Sequence, residues 1–297
     1  MLHNILVIGA TGNFGLPVTR ALVEHGLEVT AFVRNPEKAA RVLPADVALI
    51  QGDLKDKDSI ERALIGHDAV YLNLSVSPAA HKKSFHTEKE GIRNLLEAAR
   101  FSGIQRVFYL SSLLHQSTNN KWWVSQIKRD AVRLLNLSEL PVTIFYSTLF
   151  MESVPKIMTR KKRLYLPKNT DRKFFWIAIE DYAQQAATAI KANSFLYKNI
   201  EYTIQGLEKI SFKTVSQTFL RAHPEIQTSK TSTKLLKPFT FLHPKLSFFT
   251  YYLEILSDHN ETFNAEKTWE ELGKPEITFN EFANKVKNKL HSGNFLS

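Results

Sequence analysis

Short apolar runs alternate with helical patterns along the first half of the chain. Runs rich in β-branched residues, which are typical of strands, begin near Ile5, Val29, Val47, Ala69, Val107 and Val142. Helical spacing of apolar positions covers residues 16–25, 59–65 and 88–102, and a glycine, the common helix stop, directly follows each segment. This alternation predicts an α/β protein with a Rossmann-type, doubly wound parallel sheet that is covered by helices on both faces.

A fourth helix is predicted before the sixth strand, over residues 123–137, where Val124, Ile127 and Ala131 begin one apolar stripe that faces the sheet.

The pattern changes after the sixth predicted strand. Beyond Tyr146 the alternation fades, and a basic segment at 156–163 leads into aromatic-rich sequence with several helical stretches. We therefore predict a nucleotide-binding Rossmann domain over 1–153. A smaller, mainly helical substrate lobe is predicted over 154–297, with some of its segments returning to the Rossmann core.

A glycine motif lies where the first predicted strand meets the first predicted helix. Gly9, Gly12 and Gly15 fit a tight turn, a close approach of the backbone to a diphosphate, and close packing of the helix on the strand. The helix N-terminus adds free N–H groups and a partial positive charge. The alternative is an ordinary glycine-rich turn. The predicted cofactor contacts of this loop are Gly9, Thr11, Gly12, Asn13, Phe14 and Gly15.

The ends of the second and third predicted strands bear on which dinucleotide is bound. An acidic residue at the end of the second strand would accept from ribose hydroxyls, whereas a cation there accepts a 2′-phosphate. The chain carries Arg34 at this point, which predicts NADP(H) through bidentate pairing with phosphate, unless Arg34 is a solvated surface residue. Asp53 follows the third strand and is predicted either to accept from the adenine amino group or to serve a turn.

These motifs together resemble the NmrA-like branch of the atypical short-chain dehydrogenases/reductases, which is similar to isoflavone and quinone reductases. The segments that carry the resemblance lie at 9–15, 33–36, 52–54, 110–112, 141–144, 150–152 and 179–183. Residues 268–275 also resemble the C-terminal end of the family. The resemblance implies a preference for NADP(H), a cofactor lying across the carboxyl edge of the sheet, and a small substrate lobe above it. Leu54, beside Asp53, belongs to the cofactor site that it implies.

The resemblance also implies a catalytic lysine. Many reductases of the wider superfamily pair a tyrosine with a lysine four residues later, and here Lys128 fits the lysine while Val124 takes the place of the tyrosine. Isoflavone-reductase-like relatives imply that Lys128 alone is the catalytic or ribose-binding group. An exposed helix lysine is the alternative reading.

Residues at two neighbouring strand ends are further candidates. Ser111, at the end of the fifth strand, is predicted to hydrogen-bond a substrate carbonyl, although Ser111 and Ser112 could instead satisfy turn backbone. His115 titrates near neutrality but is read as structural or solvated. Relatives usually carry Arg-Pro where this chain has Tyr146 and Ser147, which bears on the placement of the nicotinamide.

Composition narrows the choice of partners. Lys and Arg outnumber Asp and Glu by 39 to 29, and the resulting charge of +10 favours anionic partners. The chain has no cysteine, which excludes disulfides and cysteine metal sites. Because no signal-peptide pattern opens the chain, we expect a cytoplasmic protein. The apolar stretch 238–256 contains His243, Lys245 and Glu254, which indicates core or pocket lining rather than a membrane span.

Weaker signals lead to no further site. His81, His86, Glu88 and Glu90 could be imagined as metal ligands, but their lysine-rich helix start favours solvated polarity, and no metal is predicted. The basic segment 156–163 and the aromatic residues after it resemble a nucleic-acid surface, yet no DNA-binding motif accompanies them, so nucleic acid is not the predicted partner.

These features predict an NADPH-dependent oxidoreductase that reduces a small, apolar carbonyl or quinone-like substrate, with Lys128 and Ser111 polarising the acceptor. The missing tyrosine leaves catalysis itself open. The alternative is a non-catalytic NADP(H) sensor of the NmrA-like type, which would change its binding of a protein partner with cofactor occupancy. A structural subunit with a tightly held cofactor is a third reading.

Overall fold

The computed structural model describes residues 2–116, 122–192, 197–229, 237, 240 and 243–291. The strands in chain order are Asn4–Ile8 (β1), Glu28–Val33 (β2), Ala48–Gln51 (β3), Ala69–Leu72 (β4), Arg106–Ser112 (β5), Val142–Ser147 (β6), Thr159–Arg160 (β7), Arg163–Tyr165 (β8), Lys173–Phe175 (β9), Ile200–Ile204 (β10), Lys209–Ser211 (β11) and Gln227–Ser229 (β12). The α-helices are Gly15–Glu24 (α1), Pro36–Ala40 (α2), Lys57–Leu64 (α3), Ile92–Ala99 (α4), Trp123–Asn136 (α5), Ile179–Ala192 (α6), Phe212–Ala222 (α7), Pro244–Asp258 (α8), Glu266–Leu272 (α9) and Phe279–His291 (α10).

Within the described residues, seven strands form one parallel sheet in the order β3-β2-β1-β4-β5-β6-β10. The strands are buried on both faces: α1 and α6 cover one side, and α3, α4 and α5 cover the other. Strands buried on both faces are apolar throughout, as Val7 and Ile8 are in β1. The predicted Rossmann-type fold is confirmed, as are all six predicted strands.

The seventh strand comes from the second half of the chain. β10 pairs in parallel with β6 from Ile200 opposite Thr143 to Ile204 opposite Ser147, and α6 packs beside α1. Segments beyond residue 153 therefore complete the Rossmann core. The sequence pattern alone did not place this strand.

The predicted helix over residues 88–102 begins differently from expectation. Its first turn is a π-helix at Thr87–Gly91, which continues into α4. The carboxylate of Glu90 accepts from the backbone N–H of His86 at 2.9 Å, and Gly91 lies close against Leu54. Single π turns inside helices often occur at functional sites. This one turns Glu88 into the protein interior, where the side chain is 0% exposed.

A second apolar core holds the smaller lobe. It contains a π-helix at Val154–Met158 together with α7, α8 and α10. Phe174 and Trp176, two of the aromatic residues that follow the basic segment, are buried inside this core. Within the basic segment, β7 and β8 form a hairpin whose exposed turn residues, Lys161 and Lys162, both have positive φ. In the described parts of the chain, no helix is both long enough and apolar enough to cross a membrane.

Candidate functional site

The glycine turn after β1 is built against the end of β4. Gly9 has a φ of +87°, and a Cβ there would collide with the carbonyl oxygen of Asn73. A Cβ on Gly15 would collide with the carbonyl oxygen of Gly9, whereas at Gly12 it would lie 3.2 Å from that oxygen. The turn closes through a hydrogen bond from the N–H of Gly12 to the carbonyl of Gly9 at 3.0 Å. The cradle therefore has the form that a diphosphate needs, and the residues present fit a dinucleotide.

A cleft of about 590 Å³ opens at the carboxyl edge of the sheet. Each of the first four strands contributes residues that directly follow it, which is where open α/β sheets bind ligands. The predicted site residues that line the cleft are Gly9, Thr11, Arg34, Asp53 and Leu54. Asn73, which also lines it, was missed in the sequence, although it directly follows the fourth apolar run at the same edge.

The cations at one end of the cleft come from β2 and α2. Arg34 is exposed at the end of β2, and Lys38 lines the same cleft from the first turn of α2. Asn35 begins α2, since its side chain accepts from the backbone N–H of Lys38 at 2.9 Å. Asp53 is engaged in a turn, because its Oδ1 accepts from the N–H of Lys55 at 3.0 Å, and it still faces the cleft.

Two predicted loop residues do not line the cleft and instead contact the segment that leads into the lobe. The ring of Phe14 stacks on Phe150 with centroids 4.7 Å apart. The side-chain oxygen of Asn13 accepts a hydrogen bond from Nζ of Lys156 at 3.0 Å. The glycine loop is thus joined to the segment that leads into the lobe.

The predicted lysine is paired with a buried carboxylate. Nζ of Lys128 donates to Oε1 of Glu88 at 2.6 Å, and the hydroxyl of Tyr109 donates to the same oxygen at 2.7 Å. The Lys128 side chain is 13% exposed, so the reading of an exposed helix lysine is wrong. His86 and Thr87, which precede Glu88, line the cofactor cleft. Glu88 therefore directly follows two cleft-lining residues along the chain, while Lys128 lines a separate, smaller cavity.

Ser111 shares a smaller cavity of about 190 Å³ with Lys128 and Tyr146. The hydroxyl of Tyr146 donates to Glu201 at 3.1 Å, and burial raises the pKa of this phenol, so Tyr146 is held as a neutral hydrogen-bond donor. Ser112 satisfies turn backbone, since its hydroxyl accepts from the N–H of Leu114. The structure therefore brings Ser111 and Lys128 together, while Ser112 has the turn role that the sequence left open.

His115 is buried and neutral. Its Nδ1 is 2.7 Å from the hydroxyl of Ser125, and its carbonyl accepts from Arg129. Burial, together with the positive charges of Lys128 and Arg129, lowers the pKa of His115 to about 3. The ring has no acidic proton to give at neutral pH, which agrees with a structural role.

The reading of His86 and Glu88 as solvated helix polarity is wrong, because both are buried. Glu88 lies in the π-helix, and His86 is the N-cap residue of that helix. Glu88 is paired with Lys128, and Glu90 with Lys89. Over the described residues, no three or more His, Asp or Glu side chains come together as a metal site.

The parallel sheet, the glycine cradle and the cleft at the carboxyl edge define the class: a Rossmann-type dinucleotide-binding protein. The chain belongs to the NAD(P)H-binding family, whose model matches residues 9–193. NAD(P)H is the cofactor of this family, and the predicted resemblance is confirmed at the level of an NAD(P)H-binding family.

Two curated relatives and one solved structure illustrate the similarity. The chain is 32% identical over 142 residues to the photosystem II assembly factor Ycf39 of Cyanophora paradoxa, covering 48% of this chain and 44% of that protein. It is 24% identical over 210 residues to an NAD(P)H azoreductase of Xenophilus azovorans, covering 70% and 69%. The Escherichia coli NADPH-dependent quinone oxidoreductase QOR2, complexed with NADPH, has the same fold with a TM-score of 0.73, 18% identity and 95% and 99% coverage. The match to the first relative spans less than half of its length.

Proposed function

We propose that this protein is an NADPH-dependent reductase of a small, apolar carbonyl or quinone-like substrate. The observation that carries the proposal is the meeting of Lys128 and Ser111 in one small cavity, with the partner of Lys128 next to the cofactor cleft. An ammonium and a hydroxyl at that point can stabilise negative charge that develops on a carbonyl oxygen.

Each cofactor-facing residue has a role in this proposal. The loop from Gly9 to Gly15 holds the diphosphate, Arg34 holds the 2′-phosphate, and Asp53 with Leu54 borders the adenine. Bound NADPH supplies the hydride. Lys128 contributes a cation at the nicotinamide ribose and, with Ser111, polarises the substrate oxygen.

The substrate class rests on similar proteins. Two similar proteins are named as an NAD(P)H azoreductase and a quinone oxidoreductase, and both names describe reduction of conjugated, electron-poor molecules.

Steady-state NADPH oxidation with a panel of quinones, enones and aldehydes tests the proposal. We expect turnover with at least one conjugated acceptor, and a lower rate with NADH than with NADPH. Tight NADPH binding without turnover on any acceptor would contradict the reductase and favour the second candidate.

That second candidate is an NADP(H) sensor, and two observations favour it. Val124, at the usual tyrosine position, is buried in the lobe core, so no acid replaces the tyrosine there. Lys156 joins the loop residue Asn13 to the lobe, which offers a path from cofactor occupancy to a surface. Retention of a protein partner that depends on NADPH would distinguish the sensor from a structural subunit.

The domain boundary after residue 153 and the cytoplasmic location stay predictions.

A further inference from the structure

Glu88 is a charged group in a place that ordinarily excludes charge. Its side chain is 0% exposed, and its Oε1 accepts both from Lys128 and from Tyr109. Its Oε2 has no hydrogen-bond partner among the residues the structure describes. A buried ion pair of this kind is weak as a source of stability, because desolvation offsets much of the attraction. Its position beside the cleft therefore calls for a reason other than stability.

The surroundings of the pair hold the ammonium in one place. Tyr109 lies in β5 below the pair, and its ring is 6.0 Å from Nζ of Lys128. Burial and the neighbouring Glu88 raise the pKa of Tyr109 well above its ordinary value, so the phenol keeps its proton and donates a hydrogen bond to the carboxylate. The π-helix that carries Glu88 also carries Thr87, which lines the cofactor cleft.

We propose that Glu88 is the positioning residue of this site. It holds the ammonium of Lys128 at one point beside the cleft and balances its charge, while Tyr109 holds the carboxylate. Lys128 then acts as a stationary cation that polarises the substrate oxygen, because leaving its carboxylate partner would strand a buried negative charge. This inference rests on the proposed reductase function for its kinetic test only.

A double-mutant cycle tests the proposal through activity. Glu88→Gln keeps the size and one acceptor oxygen but removes the charge. We expect it to lower kcat by about 10- to 100-fold, the effect of misplacing a catalytic group, while the Kd for NADPH changes by less than about threefold. In a Lys128→Met background, Glu88→Gln should cause no further fall in kcat, since it acts only through the lysine. Equal kcat in Glu88→Gln and the wild type, or losses that multiply in the double variant, would overturn the proposal.

The matched control is Glu97→Gln, which breaks the exposed pair between Lys57 of α3 and Glu97 of α4. It removes the same charge by the same substitution at the surface, and kcat should stay at the wild-type value. If Glu88→Gln does not fold, Tyr109→Phe replaces it. This variant removes one donor to Glu88, and an unchanged kcat together with an unchanged Lys128 resonance would refute the proposal that Tyr109 holds the carboxylate in place for Lys128.

A spectroscopic test is independent of turnover. In ¹⁵N-lysine-labelled protein, a buried ammonium held at 2.6 Å from a carboxylate should give a slowly exchanging NH₃⁺ resonance, assigned by its loss in Lys128→Met. We expect the resonance to vanish in Glu88→Gln and to persist in Glu97→Gln. If the wild type turns over no substrate, the reductase fails while this resonance still decides the positioning role. A resonance that survives Glu88→Gln would contradict that role.

Discussion

Arg34 is the side chain that we propose to determine cofactor choice. It is exposed at the end of β2 and lines the cleft. Arg34→Ala should weaken NADPH binding by about 10- to 100-fold and leave NADH binding unchanged, because a charge-assisted bond to phosphate contributes roughly 1.5–3 kcal/mol. Titration of the variant and the wild type with each cofactor measures both dissociation constants. Arg41, exposed at the end of α2, gives the control Arg41→Ala, which should bind both as the wild type does. Equal NADH and NADPH affinities in the wild type would contradict the assignment.

The three glycines of the loop should respond differently to substitution. Gly12→Val should fold with a local shift of a few tenths of an ångström, because its Cβ would lie 3.2 Å from the carbonyl oxygen of Gly9. It should lose NADPH binding because the side chain fills the diphosphate space. Gly15→Ala should instead lower thermal stability, because its Cβ would collide with the carbonyl of Gly9. Circular dichroism melting and NADPH titration separate the two effects. A folded Gly12→Val protein with undiminished NADPH affinity would remove the loop from the site.

At the level of elements, sequence spacing predicted the strands well and the helix starts less well. The strands were readable because each buried strand is a short apolar run bounded by polar turns. The π turn at Thr87–Gly91 was not readable, since its cause is tertiary: Glu88 turns inward to meet Lys128, forty residues away in sequence. β10 was missed because its partner, β6, is also distant in sequence.

A titrating carboxyl group, Glu152, accepts a hydrogen bond from the first residue of α6. Both carboxylate oxygens of Glu152 accept from the N–H of Ile179 at 3.2 Å, and burial raises the pKa of Glu152 to about 7. The folded pKa is above the unfolded value of 4.5, so this stabilisation is present at acidic pH and is lost as the pH rises through about 7. Its full size is roughly 3 kcal/mol.

Glu152→Gln keeps an acceptor for Ile179 and cannot ionise. Its melting temperature relative to the wild type should therefore rise between pH 5 and pH 8, by roughly 5 °C. All other titrating groups are common to both proteins and cancel in the comparison. A difference in melting temperature that is the same at both pH values would show that Glu152 does not titrate in this range.

At the scale of the whole molecule, a hydrogen bond joins the glycine loop to the segment that leads into the lobe. Lys156, in the π-helix Val154–Met158, bonds to Asn13 of the loop, so ordering of the loop by NADPH should also order this segment. We expect NADPH to slow amide hydrogen exchange in Val154–Met158 as well as in the loop. In Lys156→Met the loop should keep its protection and the π-helix should lose it. Protection confined to the loop in the wild type would contradict the coupling.

The candidate site was predictable from the sequence where it depends on strand ends, and not where it depends on burial. Gly9, Arg34 and Asp53 follow strands directly, so topology alone brings them to one edge. Glu88 looked like solvated helix polarity, because sequence spacing does not report a carboxylate that a π turn carries inward. The ion pair between Lys128 and Glu88 could not be predicted for the same reason.

The turnover number of Lys128→Met, measured against the wild type with the best quinone or enone acceptor at saturating NADPH, tests the central claim most directly. Methionine keeps the aliphatic stem that packs beside Tyr109 and removes the ammonium. We predict a fall in kcat of roughly two to four orders of magnitude, the range for acid–base and oxyanion-stabilising groups, with only a modest change in NADPH affinity. A wild-type turnover number in Lys128→Met would contradict the claim that this lysine acts on the substrate.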